Sequence, residues 1–171
     1  MYRRLTTDDT TAYRALRLAG LQECPTAFGS SFAEELALSD QDFAQQLMPG
    51  EDGCVIGAFD DDQLVGVVGV QQNRFEKMRH KAFVWGMYVA SARRGAHVGR
   101  NPLNQALQFA GRLSGVSQVT LWVVRENQGA CALYARAGFV TYGTEPAALQ
   151  VANRFYDELL MVKFLGNSSA S

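Results

Sequence analysis

The chain has 171 residues and a formal net charge of −1, since its 16 Lys and Arg residues are balanced by 17 Asp and Glu residues. This length suits a single domain with a core of its own, and the balanced charge excludes a general attraction to nucleic acid or anionic lipid. Hydrophobic residues make up 47% of the chain, but no apolar run approaches the ~20 residues that span a bilayer, so we predict a cytoplasmic protein without a membrane segment.

The first fifty residues predict one short strand followed by helices. Residues 2–5 have the pattern of a strand, and an N-cap cluster at residues 6–9 opens a helix whose apolar positions recur at helical spacing as far as Glu23. Residues 31–38 form at most a short helix, and residues 39–42 cap another.

The middle of the chain has the pattern of strands. Residues 54–59 and 64–70 are apolar and are separated by the turn residues 60–62, which predicts a hairpin. Residues 82–89 are apolar at consecutive positions, as in a strand that is buried on both faces. We therefore expect this strand at the centre of a sheet.

Helices and strands alternate in the remaining part. The pattern predicts a helix from Gly99, a strand at 119–124, a helix at 127–137, a short strand at 139–142 and a last strand at 154–165. The predicted order is β-α-α-β-β-β-α-β-α-β-β. This order is typical of a mixed sheet flanked by helices, a fold of the α/β (α+β) class.

We expect one domain without metal or disulfide cross-links. No linker or repeat interrupts residues 1–166, and the small polar residues 167–171 are expected to form a flexible tail. The three cysteines, Cys24, Cys54 and Cys131, are widely spaced and form no Cys-x-x-Cys pair. The sequence therefore predicts neither a metal site nor a disulfide framework.

The segment after the strand at 82–89 has the features of an anion site. Residues 93–100 have the sequence Arg-Arg-Gly-Ala-His-Val-Gly-Arg and open a helix. Free N–H groups of the first helical turn, glycines that allow close approach and three arginines all favour a phosphate or pyrophosphate. The same residues also suit an ordinary strand-to-helix connection with solvated arginines.

Two motifs resemble a known family. Residues 87–100 resemble the acetyl-CoA-binding signature of the GNAT superfamily of N-acetyltransferases, Arg/Gln-x-x-Gly-x-Gly/Ala between a central strand and a helix. Residues 127–139 are similar to its Asn-x-x-Ala-x-x-Leu-Tyr-x-x-x-Gly-Phe element. Residues 155–161 and the first fifty residues add weaker similarity, so the resemblance covers nearly the whole chain. The chain departs from the pattern at His97, where glycine is usual, and at Asn101–Pro102.

The resemblance implies a GNAT-like sheet of six to seven mostly antiparallel strands, and direct transfer of an acetyl group from acetyl-CoA to a primary amine of a small molecule or peptide. In this family the central strand, the loop and an asparagine hold acetyl-CoA. The residues that match these positions are Met87, Tyr88, Val89, Arg94, Gly95, Ala96, His97, Val98, Gly99, Arg100 and Asn127. A family tyrosine protonates the departing thiolate, and the matching residue is Tyr134, whose own pattern also suits a core-edge tyrosine.

The acceptor side is less well defined by the sequence. Four carboxylates are candidates for the general base: Glu34, Glu35, Glu76 and Asp157. Candidates for lining the acceptor pocket are Glu35, Phe28, Trp85, Phe32 and Tyr156. The carboxylates equally suit solvated surface positions, and the aromatic residues equally suit a core or an interface.

Other functions are also compatible with the sequence. The departures at His97 and Pro102 favour a non-catalytic CoA-binding module on the same scaffold. A generic nucleotide-binding protein is a third hypothesis, but the chain has neither a Walker lysine pattern nor a Gly-x-Gly-x-x-Gly with an acidic partner. A homodimer is compatible with the sequence, because symmetric dimers are the commonest soluble assemblies.

Overall fold

The computed structural model describes residues 1–94 and 99–166. Within these ranges the strands are β1 (Tyr2–Arg4), β2 (Gly53–Asp60), β3 (Gln63–Gln72), β4 (Lys81–Val89), β5 (Gln118–Val124), β6 (Val140–Val151) and β7 (Arg154–Phe164). The α-helices are α1 (Thr10–Glu23), α2 (Phe32–Leu36), α3 (Asp40–Gln46), α4 (Arg100–Arg112) and α5 (Gln128–Arg136). None of these helices is long and apolar enough to cross a bilayer. The predicted tail at 167–171 lies outside the described residues, as do four residues of the predicted loop: Gly95, Ala96, His97 and Val98.

All strands of the described ranges form one sheet, in the order β1-β2-β3-β4-β5-β7-β6. Every neighbouring pair is antiparallel except β4 and β5, which run parallel. The hairpin predicted from the apolar segments at 54–59 and 64–70 is the β2–β3 pair. The predicted fold class, a mixed and mostly antiparallel sheet flanked by helices, is therefore confirmed.

Helices cover both faces of the sheet and divide the core into two clusters. On one face α4 packs against the central strands, and Leu103 and Val119 are fully buried there. On the other face α1 and α3 pack over β2 and β3, where Tyr13 meets Phe43 edge-on with ring centroids 6.1 Å apart. Because β2 and β3 are covered on both faces, their sequences are almost continuously apolar.

Two predictions about the elements are wrong. The predicted order counted two helices between β1 and β2, but three α-helices lie there, because the short helix expected at residues 31–38 is a separate element, α2, with its own cap at Ser31. β6 is also far longer than the short strand predicted at residues 139–142. Its register against β7 shifts after Glu145, where Pro146 and Ala147 interrupt the ladder and Ala147 has a positive φ of 52°. Such a bulge hides the alternating pattern by which a strand is identified from sequence.

The parallel strands β4 and β5 pair at one end and then separate. The paired residues are Lys81–Phe83 on β4 and Gln118–Thr120 on β5. Beyond Phe83, β4 continues beside β3 alone, and its register against β3 shifts around Gly86, which has a φ of +61°. This bulge lies three residues beyond Phe83, within the part of β4 that is not paired with β5. The sheet therefore opens between its two central strands, and one backbone edge of β4 faces the gap.

Candidate functional site

A cavity of about 580 Å³ lies in the gap between β4 and β5. The free part of β4 lines it with Met87, Tyr88 and Val89, and the segment at the end of α1 adds Cys24 and Ala27. Because β5 does not pair with β4 here, N–H and C=O groups on that edge of β4 can bind an extended ligand. The three β4 residues predicted to contact acetyl-CoA thus share one cavity.

The N-terminus of α4 lies at the same cavity. Gly99, which precedes the helix, and Arg100 both line it, and a Cβ on Gly99 would lie 3.1 Å from Met87 Cε. The first N–H groups of a helix have no partner within it, and the helix dipole adds positive potential, so an anion is favoured here. Pro102, the third residue of α4, is buried and has no N–H to contribute.

Arg94 joins the end of β4 to the end of α1 at the rim of the cavity. Its Nη2 lies 3.0 Å from Glu23 Oε1, and its Nε donates a hydrogen bond of 3.0 Å to the Val89 carbonyl. Nη2 also lies 3.5 Å from the sulfur of Cys24. These contacts fix the orientation of Arg94 beside the predicted phosphate loop.

Tyr88 is buried and fastens the free part of β4 to α1. Its hydroxyl donates a hydrogen bond to Glu23 Oε2. Burial, with a further contribution from this hydrogen bond and the charge of Glu23, raises the pKa of Tyr88 to about 12, while the hydrogen bond from Tyr88 lowers the pKa of Glu23. A Cβ on Gly20 of α1 would lie 3.0 Å from the Tyr88 ring, so the helix approaches the strand closely. Tyr88 is therefore neutral and held in place.

Asn127 and Tyr134 reach the cavity from α5. Asn127 caps the helix, since its Oδ1 accepts a hydrogen bond of 3.1 Å from the N–H of Ala130. Tyr134 is buried, and its ring meets Phe139 edge-on with centroids 5.9 Å apart. Within the described residues its hydroxyl has no hydrogen-bond partner, and burial, with a contribution from Cys131, raises its pKa. The cavity is thus lined by a phenol that keeps its proton, as a general acid must.

Four cavity residues on α5 were not assigned to the site from the sequence: Gly129, Ala130, Leu133 and Arg136. Gly129, Leu133 and Arg136 recur at i, i+4 and i+7, and Ala130 lies four residues before Tyr134, so the periodicity of the predicted helix contained the signal for them. Arg136 is exposed and adds a cation to Arg94 and Arg100 at the cavity. Arg94 is paired with Glu23, and the other two guanidinium groups, those of Arg100 and Arg136, make the mouth locally positive in a chain whose net charge is −1.

Glu35, a predicted acceptor-side residue, forms a buried ion pair with Arg17. Arg17 Nη2 lies 2.6 Å from Glu35 Oε1, and Arg17 Nε donates a hydrogen bond of 2.8 Å to Oε2. Burial by itself would raise the pKa of Glu35, but hydrogen bonds from Arg17 and Ser30 and the charge of Arg17 outweigh it and hold the pKa below its ordinary value. A carboxylate held ionised in this way is a weak base, so the geometry argues against Glu35 as the proton acceptor.

Phe28 and Trp85, the other predicted acceptor-side residues, lie on the face of the sheet that α1 covers. The Phe28 ring centroid is 4.3 Å from Cζ of Arg17, and the ring is buried. The Trp85 indole covers Gly69 on β3, where a Cβ would lie 2.2 Å from the ring. Among the described residues, neither aromatic side chain lines the 580 Å³ cavity, and Glu35 does not either.

The other candidate bases are exposed to solvent or already bound to a neighbouring group. Glu34 accepts a hydrogen bond from the N–H of Ser31 and caps α2, and Glu76 is exposed. Asp157 lies 3.6 Å from Arg125. In the described ranges, no three His, Cys, Asp or Glu side chains come close enough together to hold a metal ion.

Glu158, the neighbour of Asp157, was not singled out from the sequence. It is half-buried on β7, opposite Val124 on β5 and Glu145 on β6. The turn at Pro25–Ala27 contacts both of these flanking strands. Burial, with a further contribution from the charge of Glu145, raises the pKa of Glu158 above its ordinary value of 4.5. A carboxyl with a raised pKa beside the end of β5 has the properties of a proton acceptor.

The sequence and the fold match a known family. A model of the acetyltransferase (GNAT) family matches residues 19–139, which is most of the chain. A GNAT-family acetyltransferase from Streptococcus pneumoniae has a similar structure, with a TM-score of 0.85 at 20% identity over 96% of this chain and 99% of that one.

Two further solved structures extend this likeness. A ribosomal-protein-alanine N-acetyltransferase from Brucella melitensis has a TM-score of 0.84 at 25% identity, over 96% of this chain and 99% of that one. A phosphinothricin acetyltransferase from Sinorhizobium meliloti, in complex with AcCoA, has a TM-score of 0.85 at 16% identity, over 100% of this chain and 91% of that one. No curated protein sequence matches the chain significantly. The chain belongs to the GNAT family of acetyltransferases.

Proposed function

We propose that this protein is an N-acetyltransferase that transfers the acetyl group of acetyl-CoA directly to a primary amine of a small molecule or peptide. The reaction takes place in the cytoplasm, in a single domain formed by residues 1–166. The observation that carries the proposal is the cavity between β4 and β5, where the free edge of β4, the N-terminus of α4 and the Tyr134 phenol converge.

Acetyl-CoA suits the charge and shape of this cavity. Its phosphates bind at the N-terminus of α4 and near three arginines, Arg94, Arg100 and Arg136. Its extended arm carries amide groups that pair with the free edge of β4, in the way that a peptide adds to a sheet. The Sinorhizobium meliloti neighbour was solved with AcCoA, which supports this choice of donor.

The residues that line the cavity fit acyl transfer. The neutral amine nitrogen attacks the thioester carbonyl carbon, a C–N bond forms, and N–H groups on the free edge of β4 stabilise the charge on the carbonyl oxygen. The C–S bond then breaks, and the departing sulfur takes the proton of the Tyr134 hydroxyl. The raised pKa of Tyr134 keeps this proton available at neutral and alkaline pH.

Glu158 accepts the proton that the amine nitrogen loses, through a water molecule. Its raised pKa lies nearer to neutral pH than that of an ordinary carboxyl, which improves a general base. Its place opposite Val124 puts it at the end of β5, and because its side chain is not among the residues that line the cavity, a water molecule carries the proton to it. This assignment replaces Glu35, whose carboxylate is bound to Arg17.

Release of free CoA thiol tests the proposal. The purified protein is mixed with acetyl-CoA and a panel of primary amines, amino acid derivatives and short peptides. We expect saturable thiol release with at least one acceptor, matched mole for mole by an N-acetylated product in the mass spectrum. Saturable acetyl-CoA binding without turnover of any acceptor contradicts the proposal.

A non-catalytic CoA-binding module is the second candidate function. Pro102 favours this second function, because it removes one N–H donor from the first turn of α4. His97, which lies outside the described residues, also favours it, because glycine is usual at this position of the family motif. Binding of acetyl-CoA without turnover supports this function. Calorimetry on His97→Gly then identifies the cause, since a large gain in affinity assigns weak donor binding to the native loop.

A further inference from the structure

Arg17 has an unpaired hydrogen-bond donor beside the opened strand. Only 8% of the residue is exposed, and its Nε and Nη2 bind Glu35, with a further hydrogen bond of 3.2 Å from Nη2 to Ser30 Oγ. Nη1 is buried and has no hydrogen-bond partner among the described residues. Buried donors of charged groups are costly to leave unpaired and almost always find a partner. A further polar group is therefore expected at Nη1.

Gly86 lies beside this donor and has no side chain to cover it. A Cβ on Gly86 would lie 3.3 Å from Arg17 Nη1, so any other residue would crowd the guanidinium. Its φ of +61° also disfavours other residues. Gly86 lies in the bulge of β4, immediately before Met87, which lines the cavity together with Tyr134. Nη1 of Arg17 thus contacts β4 on the face of the sheet that α1 covers. The contacted residue, Gly86, immediately precedes the part of β4 that lines the predicted reaction site.

The charges around Arg17 restrict what can bind there. Glu35 already neutralises the guanidinium, with 2.6 Å between Oε1 and Nη2, and Phe28 covers its face. A second carboxylate at Nη1 would bring an uncompensated negative charge into a buried site. An uncharged carbonyl oxygen satisfies the donor without this cost.

We propose that Arg17 Nη1 binds an uncharged carbonyl oxygen of the acceptor, so that the preferred acceptors carry an amide beside the amine, as in an amino acid amide or a peptide N-terminus. The inference rests on the proposed function, because it assigns the acceptor of that reaction. Nη1 is shielded from solvent and the Phe28 ring covers the guanidinium, so this binding requires the Phe28 side chain to move aside.

Matched acceptors isolate the contribution of the carbonyl. One set consists of phenylalaninamide, phenylalanine and phenethylamine, and the other of alaninamide, alanine and ethylamine. We expect kcat/KM for the amide to exceed that for the plain amine and for the free amino acid by about tenfold or more, the effect of one hydrogen bond from a charged donor. Equal values for the amide and the plain amine in both sets, or a preference for the free amino acids, overturns the inference.

Arg17→Lys keeps a charge that can pair with Glu35 but lacks the second arm of the guanidinium. We expect KM for the amides to rise about tenfold in this variant, while KM for the plain amines changes less than about threefold. Arg14→Lys is the matched control, because Arg14 is one turn away on α1 and also has a buried unpaired Nε, but its ion pair of 3.5 Å is with Asp40. An unchanged preference for amides in Arg17→Lys overturns the inference.

Binding experiments separate this inference from the proposed function and from folding defects. The melting curve and the affinity for acetyl-CoA establish that each variant is folded. If no amine is turned over, the proposed function fails, and calorimetry with phenylalaninamide in the presence of CoA still tests Arg17. Binding that is lost in Arg17→Lys but kept in Arg14→Lys supports the inference. Absence of binding to the wild type, or equal binding to all three proteins, overturns it.

Discussion

Glu158 on β7 and Glu145 on β6 lie directly opposite each other on adjacent antiparallel strands. The half-buried position of Glu158 and the like charge of Glu145 both disfavour its ionised form, and its pKa is raised accordingly. Ionisation of Glu158 therefore lowers the stability of the fold at neutral pH. A group that destabilises its own protein is often retained for activity, and Glu158 lies at the end of β5, the strand that flanks the gap.

Glu158→Gln should be more stable and less active than the wild type. Because the folded-state pKa is above the ordinary 4.5, ionising Glu158 costs stability as the pH rises. We expect the melting temperature of the variant to be about 1–3 °C higher at pH 7, and the difference to vanish below about pH 4. The value of kcat/KM for the amine should fall about 100-fold. A variant that is stabilised but fully active rules out Glu158 as the base.

Glu145→Gln provides the companion test, because it removes the opposing charge and keeps the Glu158 carboxyl. The pKa of Glu158 should then fall. Activity requires the ionised form of a base, so the acidic limb of the pH profile of kcat/KM should move to lower pH. An acidic limb at the same pH as in the wild type means that another group sets it.

Tyr134→Phe should lower kcat about 100-fold and leave KM for acetyl-CoA nearly unchanged, since the phenol donates its proton only as the sulfur departs. Its hydroxyl has no partner in the described part of the chain, so its removal should not lower the melting temperature. The control is Tyr142→Phe, which alters an exposed tyrosine on β6. A variant of Tyr134 with wild-type kcat excludes it as the general acid.

Periodicity in the sequence was enough to predict the elements that build the site, but not the gap between them. The run of apolar residues at 82–89 correctly indicated a central strand, and the Asn127 cap correctly indicated the start of α5. The gap is defined by β4–β5 pairing that stops at Phe83, and a bulge at Gly86 follows in the unpaired part of β4. Both are properties of the assembled sheet, and a local pattern of hydrophobicity does not record them.

The acceptor side was least predictable because its residues meet through tertiary contacts. Glu35 looked like a surface carboxylate, but it is buried against Arg17, which lies on another helix. Glu158 acquires its raised pKa only when β6 and β7 pair and bring Glu145 opposite to it. Arg136 is different, since its helical spacing from Gly129 and Leu133 was present in the sequence.

Arg136→Ala should raise KM for acetyl-CoA about threefold to tenfold and leave kcat unchanged, because an exposed cation at the mouth contributes to binding of the phosphates and not to the chemistry. The effect should shrink at high salt. Arg112→Ala is the control, since it removes the same charge from the far end of α4. Equal changes in KM for the two variants mean that net charge, and not the position of Arg136, is responsible.

Glu35→Gln should destabilise the fold by about 3 kcal/mol at pH 7, because it leaves the buried guanidinium of Arg17 without its counter-charge. The pKa of Glu35 is held below its ordinary value, so its contribution to stability is present above the unfolded pKa of about 4.5 and is lost as the pH falls through the lower folded-state pKa. The difference in unfolding free energy between wild type and variant should therefore narrow below about pH 4. The neighbouring Glu34→Gln is the control, since Glu34 is exposed and glutamine retains its cap on Ser31. If denaturant unfolding gives the same free energy for both variants, the Arg17–Glu35 ion pair does not stabilise the packing of α2 on α1.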